Sequence, residues 1–247
     1  AVTWFRKAAD QGYAPAQSDL GTSYYLGLGV RQDPKEAVSW LRKAADQGDA
    51  GGQHNLGIAY RDGQGVPQDY NEAANWFRKA ADQGDAGGQF DLGVAYANGR
   101  GVSQDYKQAV KWYREAADQG HAGAQANLGL MYTQGWGVPQ DYKETVNWFR
   151  RAADQGNATG QSNLGIAYAN GDGVPQDFKV AASTRVLRAG GRDFPRGSFI
   201  ARVERNPETL HERVAALAQS SGVAVVAVNN AYTDRGDTGV GSESVGS

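Results

Sequence analysis

The chain has 247 residues, with 25 Lys and Arg residues against 27 Asp and Glu residues, and it contains no cysteine. This balance argues against a protein that neutralises nucleic-acid or membrane phosphates, and the lack of cysteine excludes disulfide frameworks, thiolate metal sites and cysteine nucleophiles. Glycine is the unusual residue, because 34 glycines are about twice the usual share of roughly 7%.

The sequence repeats with a period of 36 residues and without insertions. Fixed periods of roughly 20–50 residues are typical of architectures in which each unit buries its apolar face against the next. Three columns show the period best, one each of tryptophan, leucine and tyrosine: Trp4, Trp40, Trp76, Trp112 and Trp148; Leu20, Leu56, Leu92, Leu128 and Leu164; Tyr24, Tyr60, Tyr96, Tyr132 and Tyr168. The period therefore predicts a stack of repeated units.

Each unit is predicted to contain two helices. In the unit that starts at residue 50, Asp49 is a suitable N-cap for a helix over Ala50 to Asp62, and Gly63 is placed to end it in the left-handed conformation. His121 replaces the capping residue that other repeats have as Asp49, Asp85 or Asn157, and we expect it to be a polar turn residue.

The second helix of that unit is predicted over Tyr70 to Gln83. Asp69 and Glu72 have the spacing of a reciprocal N-terminal cap, and Gly84 is placed to end the helix. The capping aspartate recurs as Asp33, Asp105 and Asp141. Arginine and aspartate four residues apart on the second helices predict ion pairs at Arg42–Asp46, Arg78–Asp82, Arg114–Asp118 and Arg150–Asp154.

The recurring string Ala-x-x-Gln-x-(Asn/Asp)-Leu-Gly-x-x-Tyr, followed by Gly-x-Gly-Val-x-Gln-Asp and Ala-x-x-Trp-(Phe/Tyr)-Arg-x-Ala-Ala-Asp-Gln-Gly, closely resembles the Sel1-like repeat (SLR), a relative of the tetratricopeptide repeat. The resemblance covers residues 1 to about 182, as half a repeat and then about five repeats. It implies a right-handed α-solenoid whose first helices line a concave face that binds proteins or peptides. It also implies a bacterial, periplasmic or secreted protein.

The period ends near residue 182, and residues 183–247 are predicted to form a small α/β segment. Strands are expected at Val186 to Arg188, Ser198 to Val203 and Val223 to Val228, with a helix that starts at Pro207 and a mobile end rich in Gly and Ser. The stretch from Gly191 to Phe199 is similar to a non-catalytic region of large bacterial zinc carboxypeptidase-like proteins. Because the segment contains no metal-binding motif, that similarity implies no peptidase activity. The chain starts inside a second helix, which suggests a fragment or a processed product.

Several patterns in the repeats could in principle carry chemistry. Asp33 and Asp46 would lie roughly 20 Å apart along one helix, too far for the ~5–9.5 Å that separates the carboxylates of glycosidases. The tryptophan column could stack on sugars or bases, but we expect it to form the core between repeats. The Gly-x-Gly turns lack the Lys-Ser/Thr of a phosphate-binding loop and are interpreted as helix ends. We therefore expect no enzyme activity, metal site or cofactor.

Positions that differ between repeats are the candidates for partner binding, because core positions repeat. Each first helix has three such positions, spaced by four and then three residues, as in His54, Ile58 and Arg61, so they share one face of the helix. Trp136 is a further candidate, since it occupies a turn where the other repeats have Leu, Gln, Arg or Asp. The predicted binding residues are Tyr25, His54, Asn55, Arg61, Phe90, Asn127, Trp136 and Asn163. At any one of these positions, ordinary solvated surface is an equally open alternative.

Two functional hypotheses follow. The first is an all-α solenoid, with the small α/β segment after it, that acts as a scaffold or adaptor and binds a protein or peptide on its concave face. The second is an accessory module of a larger peptidase-like hydrolase whose catalytic part lies outside this chain. In either case we expect no nucleic-acid partner and no membrane insertion, and we expect a monomer.

Overall fold

The computed structural model describes residues 1–173 and the short segments 180–181, 199–201 and 225–227. The chain divides into two compact units, Ala1–Gln140 and Asp141–Ser247, and each is described separately. The division of the chain into a solenoid at 1–182 and a separate segment at 183–247 stays a prediction.

The first unit is built from helices that alternate between the two types predicted for each repeat. Its helices are α1 (Val2–Ala9), α2 (Ala14–Leu26), α3 (Pro34–Asp46), α4 (Ala50–Asp62), α5 (Tyr70–Asp82), α6 (Ala86–Asn98), α7 (Tyr106–Asp118) and α8 (Ala122–Gln134). The even-numbered helices are the first helices of the repeats, and the odd-numbered helices are the second helices. The α-solenoid of helix–turn–helix repeats is thus confirmed, with α5 one residue shorter than predicted.

Aspartate side chains begin the helices as the sequence predicts. Asp49 Oδ1 accepts a hydrogen bond from the Gly52 N–H at 2.6 Å, and Asp69 Oδ1 accepts from the Glu72 N–H at 3.1 Å. The predicted reciprocal half of the second cap is wrong, because the Asp69 N–H donates to the Tyr60 carbonyl at 3.0 Å instead of to Glu72. That bond ties the start of each second helix to the end of the first helix before it.

Two glycines in the turn after each first helix explain part of the glycine excess in the sequence. Gly63 ends α4 with φ of +67°, in the left-handed region that favours glycine. Gly101 combines φ of +73° with close packing, because a Cβ at this position would lie 1.8 Å from the Tyr70 carbonyl oxygen. The turn after one first helix therefore packs directly on the backbone of the preceding second helix.

The core of the first unit lies between helices of neighbouring repeats. Its leucine column is fully buried at Leu20, Leu56, Leu92 and Leu128. Trp76 is 8% exposed and packs with Val38 and Leu41 of the preceding second helix and with Leu56 of its own repeat. The expectation that the tryptophans form the core is confirmed for Trp40 and Trp76. It is wrong for Trp4, which is 71% exposed, and Trp112 is half-buried.

The arginine column forms a different contact from the predicted one. Arg78 Nη2 donates to the Tyr96 hydroxyl at 2.6 Å, and Arg42 makes the equivalent bond to Tyr60. Within residues 1–140, neither Arg42 nor Arg78 forms its predicted ion pair with the aspartate four residues later. The tyrosine of the following first helix is the better placed partner, since it links two helices.

A second polar contact also recurs between repeats. Gln47 Nε2 donates to Gln17 Oε1 at 2.7 Å, and the pairs Gln83–Gln53 and Gln119–Gln89 have the same length. The acceptor glutamines are buried, and they donate in turn to backbone carbonyls of the preceding second helix, as Gln17 does to the Ala9 oxygen at 3.1 Å. These bonds satisfy buried amides and repeat unchanged at successive junctions.

The second unit begins with α9 (Tyr142–Asp154) and α10 (Ala158–Asn170). Asn157 caps α10 by accepting from the Gly160 N–H at 2.8 Å, and Trp148 is 3% exposed. Three short strands follow: β1 (Val180–Ala181) pairs antiparallel with β2 (Phe199–Ala201), which pairs parallel with β3 (Val225–Ala227). β2 and β3 fall inside two of the predicted strands. The strand at 186–188 and the helix from Pro207 lie outside the described residues, so the α/β segment stays a prediction.

Candidate functional site

Consecutive first helices of the first unit contact one another through positions that differ between repeats. We call the exposed side of α2, α4, α6 and α8 that carries these positions the first-helix surface. Between α2 and α4, Asn55 Nδ2 donates to Thr22 Oγ1 at 3.0 Å, and the Tyr25 hydroxyl donates to Asp62 Oδ2 at 3.3 Å. Two predicted binding residues therefore already bridge neighbouring helices.

A charged network joins α4 to α6. Arg61 Nη1 donates to Asp91 Oδ1 at 3.0 Å, and the same guanidinium binds both carboxylate oxygens of Asp62 at 2.8 and 3.1 Å. His54 Nε2 lies 2.9 Å from Asp91 Oδ2, and its Nδ1 lies 3.6 Å from Asp85 Oδ1. Asp91 is nearly buried, so its two oxygens are satisfied by the two basic residues of α4.

The network shifts the acidity of its members. The hydrogen bond with Asp62 raises the pKa of Arg61, and the hydrogen bond from Arg61 lowers the pKa of Asp62. Partial burial, reinforced by the Asp62 charge, raises the pKa of Tyr25. These directions hold the pair charged and the phenol neutral around pH 7.

Aromatic rings join α6 to α8. The Phe90 ring stacks on the His121 ring with centroids 4.5 Å apart, and it lies 6.0 Å from the Tyr113 ring. Burial raises the pKa of Tyr113 to about 12, partly offset by a hydrogen bond with Asn127. Phe90 and Asn127, both predicted binding residues, therefore lie close to the same tyrosine.

His121 is a capping residue rather than the polar turn residue that the sequence suggested. Its Nδ1 accepts from the Ala124 N–H at 3.1 Å, as the side chains of Asp49, Asp85 and Asn157 do from the equivalent N–H groups at the starts of α4, α6 and α10. Burial lowers the pKa of His121, as does the nearby His54, while Asp91 and Asp85 oppose the shift. Because Nδ1 must be unprotonated to accept, this helix start requires the neutral imidazole.

Glycines near the start of the first helices let these side chains reach the next helix. A Cβ on Gly87 would lie 2.4 Å from His54 Cε1, so His54 packs directly on the α6 backbone. A Cβ on Gly123 would lie 3.4 Å from the Phe90 ring, which is an ordinary contact distance. The same repeat position is Pro15 in α2, so close packing on a glycine belongs to α4, α6 and α8.

An aliphatic row runs between the polar contacts. It consists of Ile58, Val94 and Leu130, all half-buried, at the position that Thr22 occupies in α2. In the second unit, Ile166 of α10 has the same repeat position and is 54% exposed. This row supplies apolar area on an otherwise polar surface.

Trp136 does not belong to the first-helix surface. It lies in the turn after α8, is 44% exposed, and stacks on the Tyr106 ring with centroids 5.2 Å apart. Arg100 has the equivalent place over the Tyr70 ring. Trp136 therefore remains a separate exposed aromatic residue at the turn edge.

Two cavities of the first unit were candidates for a binding site, and neither is an enclosed site on this surface. A cavity of about 30 Å³ beside Arg61, Phe77 and Val94 has room for about one or two waters. A larger depression of about 580 Å³ lies beside Tyr24 and residues 30–34, where no predicted binding residue lines it. Among the described residues, no group of His, Asp and Glu side chains is arranged to hold a metal ion.

Contacts across the repeats therefore bring together Tyr25, His54, Asn55, Arg61 and Phe90, with Asn127 next to Tyr113. Asn163 is half-buried in α10 of the second unit. The sequence interpretation missed Asp62 and His121 as members of the surface. Asp62 could have been found, because the other repeats have Leu26, Asn98, Gln134 and Asn170 at its position.

The 36-residue unit, its capping pattern and its inter-repeat core correspond to a known repeat. The family model for the Sel1 repeat matches residues 1–13, 14–49, 50–85, 86–121, 122–157 and 158–183. The chain belongs to the Sel1 repeat family. Proteins with Sel1 repeats are generally scaffolds for protein interactions and are typically non-catalytic.

Solved structures support the same assignment. The chain is 45% identical to a protective antigen of uropathogenic Escherichia coli with an SLR fold, over 71% of this chain and 38% of that one, with a TM-score of 0.66. It is 39% identical to a Sel1 repeat protein of Oxalobacter formigenes, over 68% and 69% of the two chains, with a TM-score of 0.62. The chain thus spans well under half of the Escherichia coli protein.

No curated protein matches the chain. The family match ends at residue 183, so these comparisons do not support the predicted similarity of the tail to zinc carboxypeptidase-like proteins. No helix in the described part of the chain has the length and apolar character needed to cross a bilayer.

Proposed function

We propose that this Sel1 repeat chain is a scaffold that binds a protein or peptide partner along the first-helix surface. Side chains of the bound partner would contact the half-buried aliphatic row and the polar groups around it, among them Tyr25, His54 and Arg61. The general role of Sel1 repeats in protein interaction supports this proposal. The chain is proposed to act as a monomer in this role.

One observation carries the proposal. The polar contacts between second helices and first helices recur from repeat to repeat, as the Arg78–Tyr96 and Arg42–Tyr60 pairs illustrate. Contacts between first helices differ at each junction, since a hydroxyl–amide pair, a charged network and an aromatic stack follow one another. Stability alone would be served by one repeated contact, so the variation favours a surface adapted to a partner.

Site-specific photocrosslinking tests this proposal. A photoreactive phenylalanine replaces Ala97 or Asp19 on the first-helix surface, or Asp46 or Asp82 on the second helices. Each variant is irradiated in extract of the source cells. We expect discrete crosslinked products from the first two positions and none from the last two.

The two second-helix variants are matched controls, because Asp46 and Asp82 are exposed as Asp19 is. If the same products formed at all four positions, or only at the second-helix positions, the assignment of the surface would be wrong. No observation on the described residues favours the hydrolase alternative.

A further inference from the structure

The first helices of the first unit carry an excess of acidic groups. α2, α4, α6 and α8 together contain three carboxylates, Asp19, Asp62 and Asp91, and one arginine, Arg61. The other lysines and arginines of this unit lie on second helices or in turns. The first helices therefore carry net negative charge, whereas the second helices α1, α3, α5 and α7 carry both signs, with ten Lys and Arg residues against six Asp and Glu residues. The whole chain has a formal net charge of only −2.

The single arginine is already bound within the protein. Its guanidinium donates to both oxygens of Asp62 and to Asp91, so little of its charge is offered to a partner. Asp19 is exposed, and its carboxylate has no side-chain partner within residues 1–140. A partner that approaches this surface thus meets net negative charge beside α2 and α4.

The aliphatic row adds a second requirement on the partner. Ile58, Val94 and Leu130 are half-buried and succeed one another along α4, α6 and α8. Packed helices lie roughly 8–10 Å apart, so four first helices extend over about 30 Å. An extended chain advances about 3.3 Å per residue, and roughly ten residues would span that distance.

We propose that the occupant of the first-helix surface is an extended segment of a partner protein that combines Lys or Arg with aliphatic residues. This inference rests on the proposed function and adds the chemistry of the partner to it. The basic side chains pair with Asp19 and with Asp62, whose side chain is 34% exposed, and the aliphatic side chains pack on Ile58, Val94 and Leu130. An acidic segment would be repelled by the net negative charge of this surface.

Labelled peptides and a pair of charge-matched variants test the inference. The full chain is titrated with peptides of about ten residues built from Lys, Leu and Ser, and with versions that carry Glu or Gln in place of Lys. Binding is followed by fluorescence anisotropy. The same titrations are done with Asp19→Lys and with Asp46→Lys, which have identical net charge but place the lysine on α2 or on α3.

We expect the Lys peptide to bind most tightly. Asp19→Lys should lower the affinity for the Lys peptide by about fivefold or more, whereas Asp46→Lys should change that affinity by less than about twofold. The loss at Asp19→Lys should shrink as salt rises, since exposed charge pairs are screened.

Three results would overturn the inference and can be told apart. Tighter binding of the Glu or Gln peptide, still altered by Asp19→Lys alone, would show that the partner class is wrong while the surface is right. Equal effects of Asp19→Lys and Asp46→Lys would show that binding is not at the first-helix surface. No binding of the Lys peptide at about 1 mM, with crosslinking at Ala97 intact, would refute the basic partner and leave the proposed function standing.

Discussion

The two kinds of helix in the first unit differ in how they meet their neighbours. Between the second helices and the first helices, the Arg–Tyr and Gln–Gln bonds recur at successive junctions, and the leucines of α2, α4, α6 and α8 are all buried. Between the first helices, Asn55–Thr22, Arg61–Asp91 and Phe90–His121 are three different contacts. The comparison teaches that one layer can hold a stack together while the other is free to vary.

The largest expected effect concerns the tryptophan column. Trp76→Ala removes a side chain that is 8% exposed and packs on two helices, so we expect a loss of about 3–5 kcal/mol in the free energy of unfolding. Trp4→Ala is the matched control, because Trp4 is 71% exposed, and it should cost less than about 0.5 kcal/mol. Urea unfolding measures both, and equal losses would contradict the assignment of the column to the core.

A smaller effect tests the close packing of first helices. Gly87→Ala would place a Cβ 2.4 Å from His54 Cε1, and the forced movement should cost about 1–3 kcal/mol of unfolding free energy. In a His54→Ala background the same change should cost much less, since the imidazole is gone. A double-mutant cycle gives the coupling, and additive losses would show that His54 does not rest on this glycine.

At the start of α5, the Asp69 side chain forms its cap hydrogen bonds, whereas Glu72 does not form the reciprocal one, and two variants test this difference. Asp69→Ala removes the acceptor for the Asn71 and Glu72 N–H groups and should cost about 1 kcal/mol of unfolding free energy. Glu72→Ala should cost clearly less, because the Asp69 N–H is bound to the Tyr60 carbonyl instead. If the two variants lost the same amount, the reciprocal cap would exist after all.

The smallest effect is a pH dependence that comes from His121. Its pKa is lowered in the folded chain by burial, so the native state binds fewer protons than the unfolded state below the usual value of about 6.5. The contribution of the neutral His121 to the free energy of unfolding is therefore fully present above that pH and is lost as the pH falls below it. His121→Asn introduces the residue type that caps α10, where Asn157 has this role. This variant should flatten the curve of unfolding free energy against pH below about 6.5, and an unchanged curve would contradict the neutral imidazole cap.

The sequence predicted the local features well, because caps and glycine stops act within a few residues. Asp49, Gly63 and Asp69 therefore placed the helix ends almost to the residue. The Arg42–Asp46 pair failed for the opposite reason, since the guanidinium meets Tyr60, 18 residues away, only after two helices pack.

The candidate surface could be predicted only in part. Repeat spacing placed Tyr25, His54, Arg61 and Phe90 on one face. It gave no sign that Arg61 and His54 share Asp91, at separations of 30 and 37 residues. Such pairs depend on the offset between neighbouring first helices, which packing determines and a single repeat does not contain.

The central claim is that the first-helix surface recognises the partner while the second helices hold the stack. Its most direct test measures crosslinking at Ala97 in a variant with Ile58→Thr, Val94→Thr and Leu130→Thr, which copies Thr22 along the row. The matched control has Asp46→Thr, Asp82→Thr and Asp118→Thr on the exposed side of the second helices. We expect the first variant to lose about nine-tenths of the crosslinked product and the control to keep it; equal yields from the two variants would contradict the claim.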